Sequence, residues 1–260
     1  MKKYFIITYC ICSLIGTGFA TAQDQAETKG LRWSYLHGLE YRLKAGFNIG
    51  GIAPVPLPRE IRQIDKYDPT LQISIEADGV KWFSEQAGLL VGIRLENKGM
   101  KTDAQVKNYK MKMVSEDGGK MEGYWTGNVT TEVANSYLTF PIAALYKVSP
   151  RWELKAGGFL SYQIKGHFSG HVYEGYLREG DPTGDKVIFE GDTKATYDFS
   201  NELRSFQCGA EIGASWRAYK HLYFYGDLTW GFVPAFKSNF ETITFNMYPI
   251  YANLGFSYKF

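Results

Sequence analysis

Histidines, an acidic turn and a set of regularly spaced charges are where this chain could carry chemistry. His167 and His171 lie four apart, with Glu174 close behind. On a helix that spacing presents two metal ligands on one face, but on an extended strand four residues span about 13 Å, too far to share a zinc ion. His37 and His221 have no nucleophile near them in sequence. Asp181-Pro182-Thr183-Gly184-Asp185 offers oxygen ligands without the spacing or closing glutamate of an EF-hand. Asp-Pro and Thr-Gly are turn chemistry, so this stretch reads as a hairpin tip. A hydrolase or acyltransferase would need a clustered Ser-His or His-Asp set, and none is legible. No catalytic, cofactor-binding or metal-ligating residue is assigned, no cofactor is expected, and the chain is read as non-enzymatic.

The regularly spaced charges are Arg42, Lys44, Glu76, Arg94, Glu96, Lys155 and Glu211. Each lies in a segment that alternates apolar and polar residues. Leu39, Tyr41, Leu43, Ala45, Phe47 and Ile49 are separated by Glu40, Arg42, Lys44, Gly46 and Asn48. Period two over that length is a strand about long enough to cross a bilayer when tilted. The pattern returns at 71–78, 89–96, 136–147, 152–168, 206–216, 222–232 and 248–260. After residue 22 no apolar run approaches a spanning helix, so a membrane crossing requires a closed barrel.

Alternation does not say which face meets water, and a soluble eight-stranded lipocalin-type barrel is the competing reading. Three features favour the membrane. Glycines crowd the polar face at Gly88, Gly92, Gly157, Gly209, Gly213 and Gly255, where they make room in a narrow lumen. Aromatics gather at strand ends as interface girdles, with Trp152 and Trp216 at one end, Trp230, Phe232 and Phe168 at the other, and Phe260 at the terminus. Connections alternate between tight turns near 84–86, 149–151 and 218–220 and long segments around 51–69, 99–134, 169–202 and 234–246. The expected fold is all-β, a single antiparallel up-and-down transmembrane barrel with long extracellular loops and short periplasmic turns. Its expected strand count is eight; the strand-like pieces at 109–114 and 186–189 could extend hairpins above the membrane, which makes a count of ten possible. The charges then point into a lumen just filled by side chains, where they must pair in a structural network.

The chain opens Met1-Lys2-Lys3, continues apolar to Phe19 and reaches Ala20-Thr21-Ala22. This predicts a signal peptide over 1–22, cleaved after Ala22, a short periplasmic leader over 23–38 and a barrel over 39–260. With the last strand reaching Phe260, no soluble peptidoglycan-binding domain is expected to follow. Loss of Lys2 and Lys3 takes the formal charge from +2 to 0, which leaves no basic surplus for nucleic acid. Cys10 and Cys12 leave with the signal, and Cys208 alone has no bridging partner.

The runs Ala45-Gly46-Phe47-Asn48-Ile49-Gly50-Gly51, Pro54-Val55-Pro56-Leu57-Pro58, Ser136-Tyr137-Leu138-Thr139-Phe140-Pro141 and Asn246 through Phe256 resemble the PorT-like outer-membrane β-barrel family. The resemblance covers the chain beyond its signal but lies in strand patterns, so no functional residue is carried over. It implies a small barrel in the cell outer membrane of a Gram-negative bacterium. The expected role is a scaffold or binding protein acting through its outer loops, with outer-membrane lipid as its surroundings. The alternative is a component of a protein secretion or surface-assembly machine, with other envelope or secretion proteins as partners. A narrow porin is a third reading.

Overall fold

The structure, a computed structural model, describes residues 38–115 and 117–260. The expected signal peptide and its cleavage after Ala22, and the leader as far as residue 37, lie outside the described residues. Eleven strands follow one another: β1 (Leu39–Pro54), β2 (Ile61–Asp68), β3 (Gln72–Trp82), β4 (Ala87–Ser115), β5 (Lys120–Lys147), β6 (Trp152–Lys165), β7 (Phe168–Glu179), β8 (Lys186–Asp198), β9 (Phe206–Tyr219), β10 (Leu222–Gly231) and β11 (Met247–Lys259). Every pairing is antiparallel.

Eleven strands exceed the expected eight and lie close to the alternative of ten, while the eight segments expected from the sequence are the ones that close the ring. A ring closes through β1, β3, β4, β5, β6, β9, β10 and β11, with β11 pairing back onto β1 from Arg42↔Lys259 to Pro54↔Met247. The other three strands stand outside that ring. β2 pairs with β4 at Lys101–Val106, β7 pairs with β5 at Gly123–Val133, and β8 pairs with β7 and with the tip of β4. The piece at 109–114 is the upper part of β4, and 186–189 begins β8, so both extend hairpins above the ring, as the sequence suggested.

The ring's outer face is apolar and its inner face polar. In β1, Tyr41, Leu43 and Phe47 are exposed while Arg42, Lys44 and Asn48 are buried. The same alternation runs through β3 and the lower half of β4, where Ile73, Ile75, Ile93 and Leu95 are exposed beside buried Ser74, Glu76, Arg94 and Glu96. A soluble barrel would place these faces the other way, because apolar area gains only when it leaves water. A belt of exposed isoleucine, leucine and phenylalanine around a closed sheet is stable in lipid, where a ring leaves no backbone edge unpaired. Inward glycines let the charges fit. A Cβ on Gly92 would overlap the carboxylate of Asp78, and one on Gly213 that of Asp227.

Above the ring the chain builds a cap that sequence reading had taken for loops. β4 and β5 run 29 and 28 residues, far beyond the 9–11 a spanning strand needs. They bend where the register shifts between Val106 and Tyr109 and between Gly127 and Asn128, at Asn108 (φ 58°) and Gly127 (φ 150°). The bend lets β7 and β8 curl against the hairpin. They enclose Met111, Met113, Trp125, Val172, Leu177 and Phe189, all buried. Trp125 meets Phe189 edge-on at 5.2 Å between ring centres. Phe168, expected in an interfacial girdle, is instead buried in this core against Phe236, with ring centres 4.9 Å apart. Its strand lies on the hairpin extension rather than in the ring, so its apolar register faces the cap interior.

Candidate functional site

The buried charges stack in layers along the barrel axis. At the end with the tight turns, Arg42 on β1 reaches Glu153 on β6 at 2.7 Å and Glu40 at 2.6 Å. The rings of Trp82 and Tyr223 lie 6.0 Å from its guanidinium. In the middle layer Lys44 contacts Glu76 at 2.7 Å and Asp227 at 3.3 Å. Arg94 pairs with Glu76 and, at 2.7 Å, with Glu211 on β9. Lys155 pairs with Glu211 and, at 2.6 Å, with Asp227. Above this, Glu96 accepts from Lys98 at 2.9 Å and from the Thr139 hydroxyl at 2.7 Å. Lys98 in turn sits 5.5–5.6 Å from the rings of Tyr137, Phe159 and Tyr251. A neutral cluster completes the layer, with Asn253 donating to Asn48 and Ser74 and accepting from Tyr225.

All seven charges singled out in the sequence thus face one interior and meet one another. Arg42 and Glu153 lie on strands diametrically opposed in the ring, and Arg94 and Glu211 lie three strands apart. Their bonds therefore cross the lumen rather than follow its wall. A charge so far from water is costly unless paired and hydrogen-bonded, and this arrangement supplies partners of opposite sign across the bore. Sequence reading put Asp78 on the polar face of its strand but left it out of the charge set, and missed Lys98, Glu153 and Asp227. Three carried a usable signal: Asp78 and Lys98 follow Glu76 and Glu96 by two residues, and Glu153 precedes Lys155 by two. Asp227 shares its register with Tyr223, Tyr225 and Thr229, where no neighbouring charge draws attention.

The aromatics take up two levels. Trp152 pairs in register with Trp216, which stacks on Phe224 at 6.0 Å, near the tight turns. Phe260 is exposed at that end, with its ring 5.1 Å from Tyr258 and its N–H donating to the Tyr41 carbonyl. Trp230 and Phe232 are exposed at the far end of β10.

Among the described residues, His167 and His171 share no hydrogen-bond partner. His167 is exposed and bonds Ser169 at 2.8 Å, and His171 packs its ring beside Tyr173 at 5.7 Å. Glu174 accepts from Asn128 instead. Burial, with Lys194 and Lys101 behind it, holds the His171 imidazolium below the ordinary histidine range. At the Asp181 turn, the hydroxyl and backbone N–H of Thr183 donate to the Asp181 carboxylate. Asp181 thus closes its own turn, as the sequence reading expected.

Over residues 21–237 the sequence matches the family described as outer membrane protein beta-barrel domain. No curated protein matches it. Among solved structures, Ail, the attachment invasion locus protein of Yersinia pestis, crystallised with the heparin analogue sucrose octasulfate, is 8% identical. The overlap covers 85% of this chain and 97% of that one, at a TM-score of 0.35. OprG of Pseudomonas aeruginosa is 12% identical over 85% and 95% of the two chains, at 0.34. Neisserial surface protein A is 9% identical over 86% and 97%, at 0.31.

Proposed function

Because the chain belongs to the outer membrane protein β-barrel domain family, matched over residues 21–237, we propose that it is a closed, non-enzymatic membrane scaffold that works through the outer surface of its cap. The observation that carries this is the cap's own apolar core, joined to the barrel by two unbroken strands. Long unstructured loops would adapt to many contacts, whereas strands rising from a rigid wall hold a fixed surface at a fixed height. In this reading the tight turns face the periplasm and the cap faces outward. Trp152, Trp216, Trp230, Phe232 and Phe260 anchor the barrel at the two interfaces. Arg42, Lys44, Glu76, Arg94, Glu96, Lys155 and Glu211 brace the lumen, with no part in transport.

The test is crosslinking on intact cells with a membrane-impermeant reagent, followed by recovery of the protein in mild detergent. The wild type should bring down a defined surface partner. A variant reversing exposed cap charges, Lys101→Glu with Lys194→Glu, should lose it while still migrating faster unheated than boiled. Identical partners for both forms would remove the cap from the function. Partners confined to the periplasmic side would replace this reading with that of a secretion or surface-assembly component.

A further inference from the structure

At the junction of barrel and cap the wall is incomplete. β1 pairs with β3 only as far as Asn48↔Gln72, then continues to Pro54 on the arm of β11 alone. On the other side β2 takes over from β3 against β4 but makes no ladder with β1. The Tyr67 hydroxyl, donating to the Gly50 carbonyl at 2.8 Å, spans this seam. Behind it lies a cavity of about 370 Å³. Its inner wall includes Ile52, Met100, Val106, Val129, Phe168 and Met247, all buried. The hydroxyl of Thr131, also in the lining, is already engaged by Tyr197 at 2.7 Å, so the space offers a guest mostly hydrocarbon.

The seam's position decides what reaches that space. Its outer lip is formed by Ile64 and Tyr67, both exposed, and directly below it lie the exposed Phe47, Ile49, Leu71 and Ile73 of the lipid-facing belt. The mouth therefore continues an apolar surface that lipid covers rather than opening among charges. Dry apolar cavities of about 150 Å³ already accept benzene-sized guests, and this one is more than twice that volume. We propose that the seam between β1 and β2 is a lateral binding site for a hydrocarbon chain taken from the outer part of the membrane. The proposal rests on the barrel's lipid-facing belt, and not on any role for the cap surface.

The site can be tested by photolabelling the full protein in phospholipid nanodiscs. One arm uses a diazirine-bearing fatty acid and the other a phospholipid carrying the diazirine on its acyl chain. Peptide mapping should find label on Met100, Met247 or Tyr109, and the arm that labels them identifies a free or a lipid-borne chain. Excess unlabelled dodecanoic acid should suppress the fatty-acid label. Ala104→Phe, which fills the cavity, should reduce labelling in either arm about tenfold. Label confined in both arms to belt residues such as Ile73 and Ile93 would overturn the site. So would labelling of the interior that neither the competitor nor the substitution alters. Incorporation into nanodiscs and faster migration unheated report the barrel separately, so failure of the site is distinct from failure of the fold.

Discussion

Single residues in the lumen differ sharply in what their loss should do. Arg94 is almost wholly buried and serves both Glu76 and Glu211, so Arg94→Met takes one of the two cations from each of two buried carboxylates, leaving Glu76 to Lys44 and Glu211 to Lys155. Breaking one partner of a buried pair costs about 3–5 kcal/mol. The midpoint of heat-induced unfolding, followed as the shift between fast- and slow-migrating forms, should fall clearly. Asp78 behaves otherwise. Its carboxylate accepts no hydrogen bond, and its nearest ion-pair contact, Lys44, is 3.6 Å away. Among the buried charges of the described residues, the six carboxylates Glu76, Asp78, Glu96, Glu153, Glu211 and Asp227 outnumber the five cations Arg42, Lys44, Arg94, Lys98 and Lys155 by one. Asp78→Asn should therefore shift that midpoint little, within about 1 kcal/mol, or raise it. A loss as large as that of Arg94→Met would show that Asp78 holds a cation. In the cap, His171 is held below the ordinary histidine range by burial first and by Lys194 and Lys101 second. A base depressed in the fold favours its neutral form there. Its contribution is complete above the unfolded histidine pKa and is lost as pH falls through the folded one. An NMR titration should place His171 low, and Lys194→Met should move it upward. An unchanged value in the variant would leave burial and Lys101 as the causes.

At the scale of elements, the long β4–β5 hairpin decides whether a cap exists. Gly127 sits at φ 150°, and a Cβ there would come within 2.7 Å of the Glu174 carbonyl and the Gly175 Cα. Gly127→Val should therefore cost at least about 1–3 kcal/mol in local strain. Since the bend lies above the ring, protease should cut the cap of this variant early while the barrel still migrates in its fast form. Loss of both together would mean that cap and barrel fold as one unit. The hairpin was half legible beforehand. Met111 and Met113 alternate with Lys110 and Lys112, which marks a strand at 109–114. That strand pairs with β5, its neighbour in sequence; what was not legible is that β7 docks on β5 and β8 on β7, because both arrive from farther along the chain and nothing local specifies their partners. For the same reason Phe168 was placed in a girdle. Its alternation continues that of β6 in sequence, while in space the chain has already turned at Gly166 and His167 to join the cap.

At the scale of the molecule, the lumen is crossed by Arg42–Glu153 and Arg94–Glu211 and closed above by Lys98 among three aromatic rings. An eight-membered ring has an interior just wide enough for side chains to fill. The purified protein should give no steady single-channel steps in planar bilayers. Sustained conductance would mean that these bridges open under voltage. The sequence by itself determined the period of two, the ring-forming strands and the charges that share one face, because alternation is a local property that every strand writes into its own residues. It left three matters to tertiary structure. Whether the apolar face points outward depends on closure of the sheet. Which charges pair depends on strands opposed across the bore. The cap, and the seam beneath it, arise where β2, β7 and β8 find partners by shape and burial rather than by neighbouring position. These are non-local contacts, and single-strand periodicity holds no record of them.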